Sequence, residues 1–287
     1  MSTHSFGGPW TERKLSVVRQ YLTMYATALK NQRFELIYID AFAGSGDRTD
    51  KRRETLPLLD LPEFEAVAKG SARIALDIEP PFHRYIFIER AAKRASELSI
   101  LRSEFPARNI TIVNADANEA IKDICSRSNR RSTRGVAFLD PYGLQVSWET
   151  LVAIASTQAL DAWILFPSGM GLNRLLTKTG DIRKEWQDTL DRFLGTREWR
   201  GAFYKVERAP DLFDDGRQVS VKDANAHKFE QFILARLRTI FPVVLNKSVA
   251  LTNTKGQTMY LLCFVSANHS PKVKALATRL ATWASKA

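Results

Sequence analysis

The sequence predicts an α/β fold built on a mostly parallel sheet, and three observations predict it. Four apolar runs each close on an acid: Leu36 to Asp40, Arg84 to Glu89, Ile110 to Asp116 and Val136 to Asp140. Apolar runs of this length read as strands buried on both faces. Segments with helical character lie between them, and such alternation is the mark of βαβ units. Near the C-terminus, Val243 to Leu251 and Met259 to Val265 flank the turn sequence Asn253-Thr254-Lys255-Gly256 and read as a hairpin closing the sheet.

The elements follow in order. Residues 11–30 carry apolar residues at Leu15, Val18, Leu22 and Tyr25, a helical spacing, with Thr11 as a cap and Lys14 in the first turn reading as a surface lysine, a cofactor contact being the alternative. The first strand ends at Asp40 and breaks into Ala41-Phe42-Ala43-Gly44-Ser45-Gly46, a loop of small residues that lets the backbone approach a ligand closely. Residues 47–69 are long for a strand-to-helix connection and carry Pro57 and Pro62. Connections of that length are usually functional or disordered, and this one reads as a substrate-side loop insertion, with disorder the alternative. A helix over Ala91 to Glu104 follows the second strand, and another over Ala117 to about Arg127 follows the third. Trp148 to Ala159 is helical, Ala162 to Phe166 is a fifth strand, and residues 180–240 read as a mostly helical elaboration with Trp186 and Trp199 as core aromatics. A last helix runs from Lys272 to about Ala284.

Ligands of open parallel sheets bind at the carboxyl ends of the strands. Asp40, Glu89, Asp116 and Asp140 are therefore expected to face one crevice. A nicotinamide-dinucleotide site would need Gly-x-Gly-x-x-Gly with an acid about 20 residues further on. Here Asp47 to Thr49 supply no third glycine, and Glu89 lies 43 positions past Gly46. A nucleoside-triphosphate loop would need Gly-Lys-Ser/Thr, which does not follow. Acids and glycines also end strands where a loop is merely polar; four acids in register make that reading weaker than a ligand site.

Phe-Ala-Gly-Ser-Gly after a strand, a later strand ending in an acid, and then Asp140-Pro141-Tyr142-Gly143 resemble the motif series of class I S-adenosylmethionine-dependent methyltransferases. More closely, the chain resembles the three-Cys-motif partner family, over Tyr38 to Gly46, Phe87 to Glu89, Phe138 to Leu144, Asp161 to Asn173 and Phe264 to Pro271. The resemblance implies a Rossmann-like class I methyltransferase fold over residues 1–287 as one domain: a seven-stranded, mostly parallel sheet, helices on both faces, and the antiparallel pair as strands six and seven. It further implies a helical lid over residues 1–34 and S-adenosylmethionine as cofactor. Asp40, Phe42 and the backbone of Ala43, Gly44 and Gly46 would hold its methionine end. Glu89 would accept from the ribose hydroxyls, and Asp116 with Ala117 would read the adenine. A carboxylate accepts strongly from hydroxyl and amino donors, which suits each role.

Asp140-Pro141-Tyr142-Gly143 is similar to the Asp-Pro-Pro-Tyr signature of amino methyltransferases acting on nucleic-acid bases, and more similar to the Asp-Pro-Phe-Gly of tRNA guanine-N2 dimethyltransferases. Tyr142 stands where the first signature has a second proline, so the aromatic comes one residue early. An exocyclic amine is a weak nucleophile because its lone pair is delocalised into the ring. Asp140 and the Pro141 carbonyl would accept its N–H bonds, and Tyr142 would stack on an unpaired or extruded base. As a structural alternative, Asp-Pro-Tyr-Gly is also an ordinary turn sequence. The resemblance leaves room for a non-catalytic or partner-dependent module working with a three-Cys-motif protein, and for methylation of a protein or small molecule. The intact glycine loop and Asp-Pro-Tyr-Gly favour the enzyme.

The chain has 287 residues, a mass of 32.5 kDa, a formal net charge of +11 and a sequence pI near 9.7. That balance fits a polyanionic partner, here a nucleic acid. Lys51, Arg52, Arg53 and Arg174, with Lys178, follow strands and so fall on the ligand side, whereas Arg127, Arg130, Arg131 and Arg134 precede a strand and read as a solvated loop at the opposite edge. Cys125 and Cys263 are too few and too separated for a metal or disulfide framework and read as buried thiols. His4, His83, His227 and His269 are scattered, so no metal site is expected. No apolar span is long enough to cross a bilayer and no secretory signal pattern is present, which makes a cytoplasmic location the expectation.

Overall fold

A computed structural model describes residues 9–43, 63–168, 170–208 and 218–287. Gly44, Gly46, Lys51, Arg52 and Arg53, with most of the expected loop insertion, lie outside the described residues. The chain begins with helix α1 (Pro9–Leu29), strand β1 (Glu35–Asp40), helix α2 (Glu63–Leu76) and strand β2 (Arg84–Ile88). It continues through α3 (Ala92–Leu98), α4 (Ile100–Glu104), β3 (Ile110–Val113), α5 (Ala117–Arg127), β4 (Thr133–Leu139), α6 (Trp148–Ser156) and β5 (Leu160–Pro167). Then come α7 (Met170–Leu175), α8 (Lys184–Leu194), α9 (Trp199–Phe203), β6 (Tyr204–Arg208) and β7 (Gln218–Lys222). The described chain closes with α10 (Ala226–Arg238), β8 (Val243–Val244), β9 (Val249–Thr252), β10 (Thr258–Ser266) and α11 (Pro271–Ala284).

The main sheet has the order β3-β2-β1-β4-β5-β10-β8, with β9 also paired to β10. Strands β1 to β5 are mutually parallel and β10 runs antiparallel to β5. That order, with one reversed strand beside β5, is the Rossmann-like arrangement of class I methyltransferases. The strands alternate their side chains across the sheet. Ile37 and Ile39 of β1 join the core under α5, α6, α8, α9 and α10, while Leu36 and Tyr38 join the core under α1, α2 and α11. Both faces of the sheet are thus covered, which is what continuous apolar strands require.

Three local differences from the sequence reading have physical causes. The sixth strand position is not one strand but is shared by β8 and β9. Between them the Ser248 backbone N–H and hydroxyl donate to Glu230 Oε1 of α10, at 2.7 and 2.8 Å, which takes that backbone group from any ladder. The expected helix over 91–104 is divided at Ser99, whose hydroxyl donates to the Ala95 carbonyl; such local bonding competes with helical continuity. Within residues 180–240 the helices α8 to α10 are present, and β6 and β7 add an antiparallel ribbon that the sequence did not announce. The turn joining β9 to β10 matches its residues: Asn253 Oδ1 accepts from the Lys255 and Gln257 backbones, and Gly256 sits at φ +73°.

Candidate acceptor and cofactor site at the carboxyl edge of the sheet

Strand register places the four predicted acids along one edge. Asp40 pairs with Phe87 on one side and with Phe138 on the other, while Ile88 pairs with Val113. Glu89, Asp116 and Asp140 each follow the strand that carries them. The spatial order across the edge is therefore Asp116, Glu89, Asp40, Asp140. Ala41 N–H donates to the Phe138 carbonyl and Ala43 N–H to the Ile88 carbonyl, both at 3.0 Å, so the start of the loop after β1 is stitched between its neighbours. Phe42 and Ala43 are buried there.

Each acid has a different neighbourhood. Glu89 is buried, and its Oε1 accepts from the Ala91 N–H at 2.6 Å and from Arg94 Nη2 at 3.1 Å. Asn114 fixes the same bend by donating to the Glu89 and Arg90 carbonyls. Asp116 caps α5, its Oδ1 accepting from Asn118 N–H at 2.9 Å and Glu119 N–H at 3.4 Å, with Ala117 buried as the first helical residue. A cap of this kind satisfies orphan donors of the first turn. Asp40 is fully buried. Its Oδ2 accepts from the Ser71 hydroxyl at 2.7 Å and from the Tyr38 hydroxyl at 3.4 Å. Burial pushes its carboxyl up to about 7; the Ser71 bond opposes the rise, the charge of Asp140 adds to it, and the Phe42 backbone N–H and the charge of Lys14 oppose it.

The largest correction to the sequence reading concerns Lys14. It is not a surface lysine: it is 0% exposed, and its Nζ is ion-paired with Oδ2 of Asp140, whose side chain is 10% exposed. Its Nζ also lies 5.1 Å from the Trp10 ring centroid and 6.0 Å from that of Phe138. Thr11 is not the helix cap either, because α1 begins at Pro9 and Thr11 is buried within its first turn. The reason is rotational. Lys14 shares the inward stripe with Val17, Val18 and Tyr21, all buried, whereas Leu15 sits at the margin.

The Asp140-Pro141-Tyr142-Gly143 segment turns sharply after β4. Pro141 is buried, Tyr142 packs against the α1-side core, and Gly143 takes φ +66°, a conformation that disfavours any side chain. Two residues that sequence reasoning missed brace the far end of this loop. Arg192 of α8 donates to the Leu144 and Gln145 carbonyls, at 3.0 and 3.2 Å. Asn118 donates to the Gln145 carbonyl and accepts from the Ser147 N–H and Thr150 hydroxyl. No local signal identifies either, since both act across long sequence separations.

Four buried polar atoms at this edge have no hydrogen-bond partner: Thr11 Oγ1, Asp40 Oδ1, Asp140 Oδ1 and Ser168 Oγ. Ser168 follows β5 and is held by its N–H donating to the Met259 carbonyl. Buried polar atoms are otherwise almost always bonded, so each of these atoms calls for an explanation. Arg174 is exposed on α7, which follows β5. Arg134 is drawn into the opposite edge, stacked 4.1 Å over Phe34 and donating to the Thr133 carbonyl. Cys125 and Cys263 are buried free thiols; desolvation pushes Cys125 up to about 12 and raises Cys263 as well. Trp199 is fully buried, with its Nε1 donating to Asp191. Among the described residues, no group of three or more His, Cys, Asp or Glu could hold a metal ion, and no helix is long and apolar enough to cross a membrane.

The chain is similar to several solved structures at low identity. Protein LPL1258 from Legionella pneumophila, of the DUF519 family, matches at 14% identity and a TM-score of 0.39, over 82% of this chain and 92% of that one. The putative methyltransferase yhhF from Escherichia coli matches at 13% identity and a TM-score of 0.28, over 72% and 87%. M. jannaschii TYW2, solved in complex with AdoMet, matches at 7% identity and a TM-score of 0.36, over 86% and 75%. No family model matches the chain, and no curated protein matches it in sequence. The fold assignment rests on the strand order and register described above.

Proposed function

We propose that this chain is an S-adenosylmethionine-dependent methyltransferase acting on an exocyclic amino group of a nucleic-acid base. The observation that carries the reading is the row of Asp116, Glu89, Asp40 and Asp140 along one sheet edge, with orphaned buried oxygens on the last two. The donor set fits the cofactor. Glu89 would take ribose hydroxyls, Asp116 and the Ala117 backbone would meet the adenine, and Asp40 with Phe42 and Ala43 would line the methionine end; Gly44 and Gly46, outside the described residues, would share that last role. S-adenosylmethionine, when bound, would supply an electrophilic methyl group on a sulfonium: the amine nitrogen would bond to that carbon as the sulfur–carbon bond broke, sulfur would keep the electron pair as a neutral thioether, and the methylated nitrogen would release one proton to solvent.

The chain's own residues would orient the amine. Asp140 Oδ1 and the Pro141 carbonyl accept its two N–H bonds, which localises the nitrogen lone pair toward the methyl group. Positioning of this kind removes a large part of the barrier. Tyr142 offers a ring face for the base, and Gly143 turns the backbone out of its way. Arg174 on α7 and the chain's net charge of +11 suit a polyanionic acceptor.

The test is transfer of radiolabelled methyl from S-adenosylmethionine to pooled DNA, RNA and protein from cells lacking this gene. Label in one nucleic-acid fraction, lost with Asp140→Asn, is the expected result. Label in the protein fraction alone would overturn the base specificity. Cofactor binding without label anywhere would point instead to a partner-dependent module, with a three-Cys-motif protein as the partner to add.

A further inference from the structure

Lys14 presents a cost without an evident structural return. A buried ammonium loses its hydration, and a buried ion pair commonly stabilises a fold no better than well-packed apolar residues of the same volume. The surrounding positions of α1 show how the helix solves the packing problem elsewhere, with Val17, Val18, Tyr21 and Leu22 on the same face, all buried. A methionine at position 14 would fill a similar space with no charge to neutralise. What the lysine adds is a cation held on Asp140, the first residue of the Asp-Pro-Tyr-Gly segment.

The pairing is one-sided in a way that matters. Lys14 Nζ takes Oδ2 of Asp140, while Oδ1 of the same carboxylate is buried and without a partner. A free aspartate side chain can turn about χ2 and present either oxygen. One anchored through Oδ2 presents Oδ1 in a fixed direction. A second carboxylate, Asp40, lies close enough for Asp140 to raise its proton affinity and for Lys14 to lower it. Without a cation at this place, two carboxylates would face each other in a buried site with no opposing charge.

We infer that Lys14 is a positioning residue of the acceptor site: it locks Asp140 through Oδ2, so that Oδ1 faces the incoming amino group as a charged hydrogen-bond acceptor. The assignment rests on the proposed amino methyltransferase reading and extends its machinery from the strand ends to helix α1. It also gives α1 a direct part in the chemistry. The helix is anchored along its length by the core it shares with α2 and α11. Trp10 packs against Tyr260 in a tilted ring pair at a centroid distance of 5.0 Å, which holds the first turn against β10. Lys14 is therefore presented from a rigid element, as a positioning group must be.

Two variants test this. Lys14→Met keeps length and packing but removes the charge; Lys14→Ala leaves room for a small cation. Both are expected to lower kcat about 100-fold, the cost of a misplaced reacting group, while cofactor affinity by calorimetry stays within about threefold of wild type. Added methylammonium should restore at least about tenfold of the lost rate to Lys14→Ala, and nothing to Lys14→Met, where the space is filled. A purely structural role predicts no such rescue. Lys14→Ala turning over at the wild-type rate would overturn this inference alone, as would a loss of rate without rescue by methylammonium. A wild-type protein that binds the cofactor yet methylates no acceptor overturns both this inference and the functional reading beneath it.

Discussion

Two buried aspartates stand at opposite ends of the same sheet, and helix α1 touches both clusters. At the carboxyl edge, Asp40 lies beside Asp140, with Lys14 reaching in from α1. At the amino edge, Asp161 of β5 accepts from the Tyr21 hydroxyl at 2.6 Å, two helical turns along α1 from Lys14. Both carboxyls are pushed up by burial, Asp40 to about 7 and Asp161 to about 6. They differ in what they leave undone. Asp161 is held by Ser266 and Tyr21 and eased by the charge of Arg134, and neither of its oxygens is orphaned. Asp40 and Asp140 each retain a buried oxygen with no partner. Asp161 therefore has its bonds within the protein, while Asp40 and Asp140 each keep one acceptor oxygen unengaged.

The comparison is broken most directly at Asp140. Asp140→Asn is expected to lower methyl transfer by about 1000-fold or more, with cofactor affinity retained, because it replaces one charged acceptor by a group that also donates. Single-turnover kinetics with the labelled acceptor would measure it. A change confined to KM would show that Asp140 binds the acceptor without activating it.

The protons come next. Asp40 and Asp161 both hold their protons more tightly in the folded chain than in the unfolded one, whose carboxyls titrate near 4. Between about pH 4 and pH 7 the native protein therefore binds more protons, and unfolding free energy falls as pH rises. Above pH 7 these groups contribute no further slope. The loss traceable to Asp40 is on the order of 2–4 kcal/mol. Denaturant midpoints of wild type and Asp40→Asn across pH 4–8 should converge at the acid end and favour the variant at the alkaline end. Parallel curves would mean that Asp40 is not buried as described.

Tyr21→Phe sharpens the contrast from the other side. It removes the hydroxyl donor from Asp161 and should cost about 1–3 kcal/mol of stability, the usual penalty for leaving a buried charged group short of a bond. Transfer rate per folded molecule should not change. The smallest effect belongs to Ser168→Ala. Its hydroxyl has no protein partner, so stability should stay within about 1 kcal/mol of wild type or rise, while ligand affinity falls a few-fold. A destabilised Ser168→Ala would place that hydroxyl among the structural groups.

The parts legible in the sequence were those written locally. Acid-terminated apolar runs gave β1, β2, β3 and β4, and the Asn253 to Gly256 turn gave the closing pair, because strand burial and turn chemistry depend on neighbours in the chain. The inward stripe of α1 was harder. Leu15 is apolar and Lys14 is not, so apolar spacing alone turns the helix by one residue, although Lys14, Val17, Val18 and Tyr21 share the spacing of a buried face. Ion pairing across 126 residues, from Lys14 to Asp140, left no trace in either segment alone. Arg192 and Asn118, which brace the loop after β4, were hidden for the same reason. The β6–β7 ribbon went unread because its strands are short and Val206 is exposed, leaving little apolar pattern to follow.

The most direct measurement is calorimetric titration of S-adenosylmethionine into wild type, Glu89→Ala and Tyr21→Phe, each shown to be folded at the temperature used. Saturable binding in the wild type, weakened at least about 30-fold by Glu89→Ala and within about threefold in Tyr21→Phe, is the expected result. Absence of binding in the wild type, or equal affinity in Glu89→Ala, would contradict the assignment of the carboxyl edge as the cofactor site.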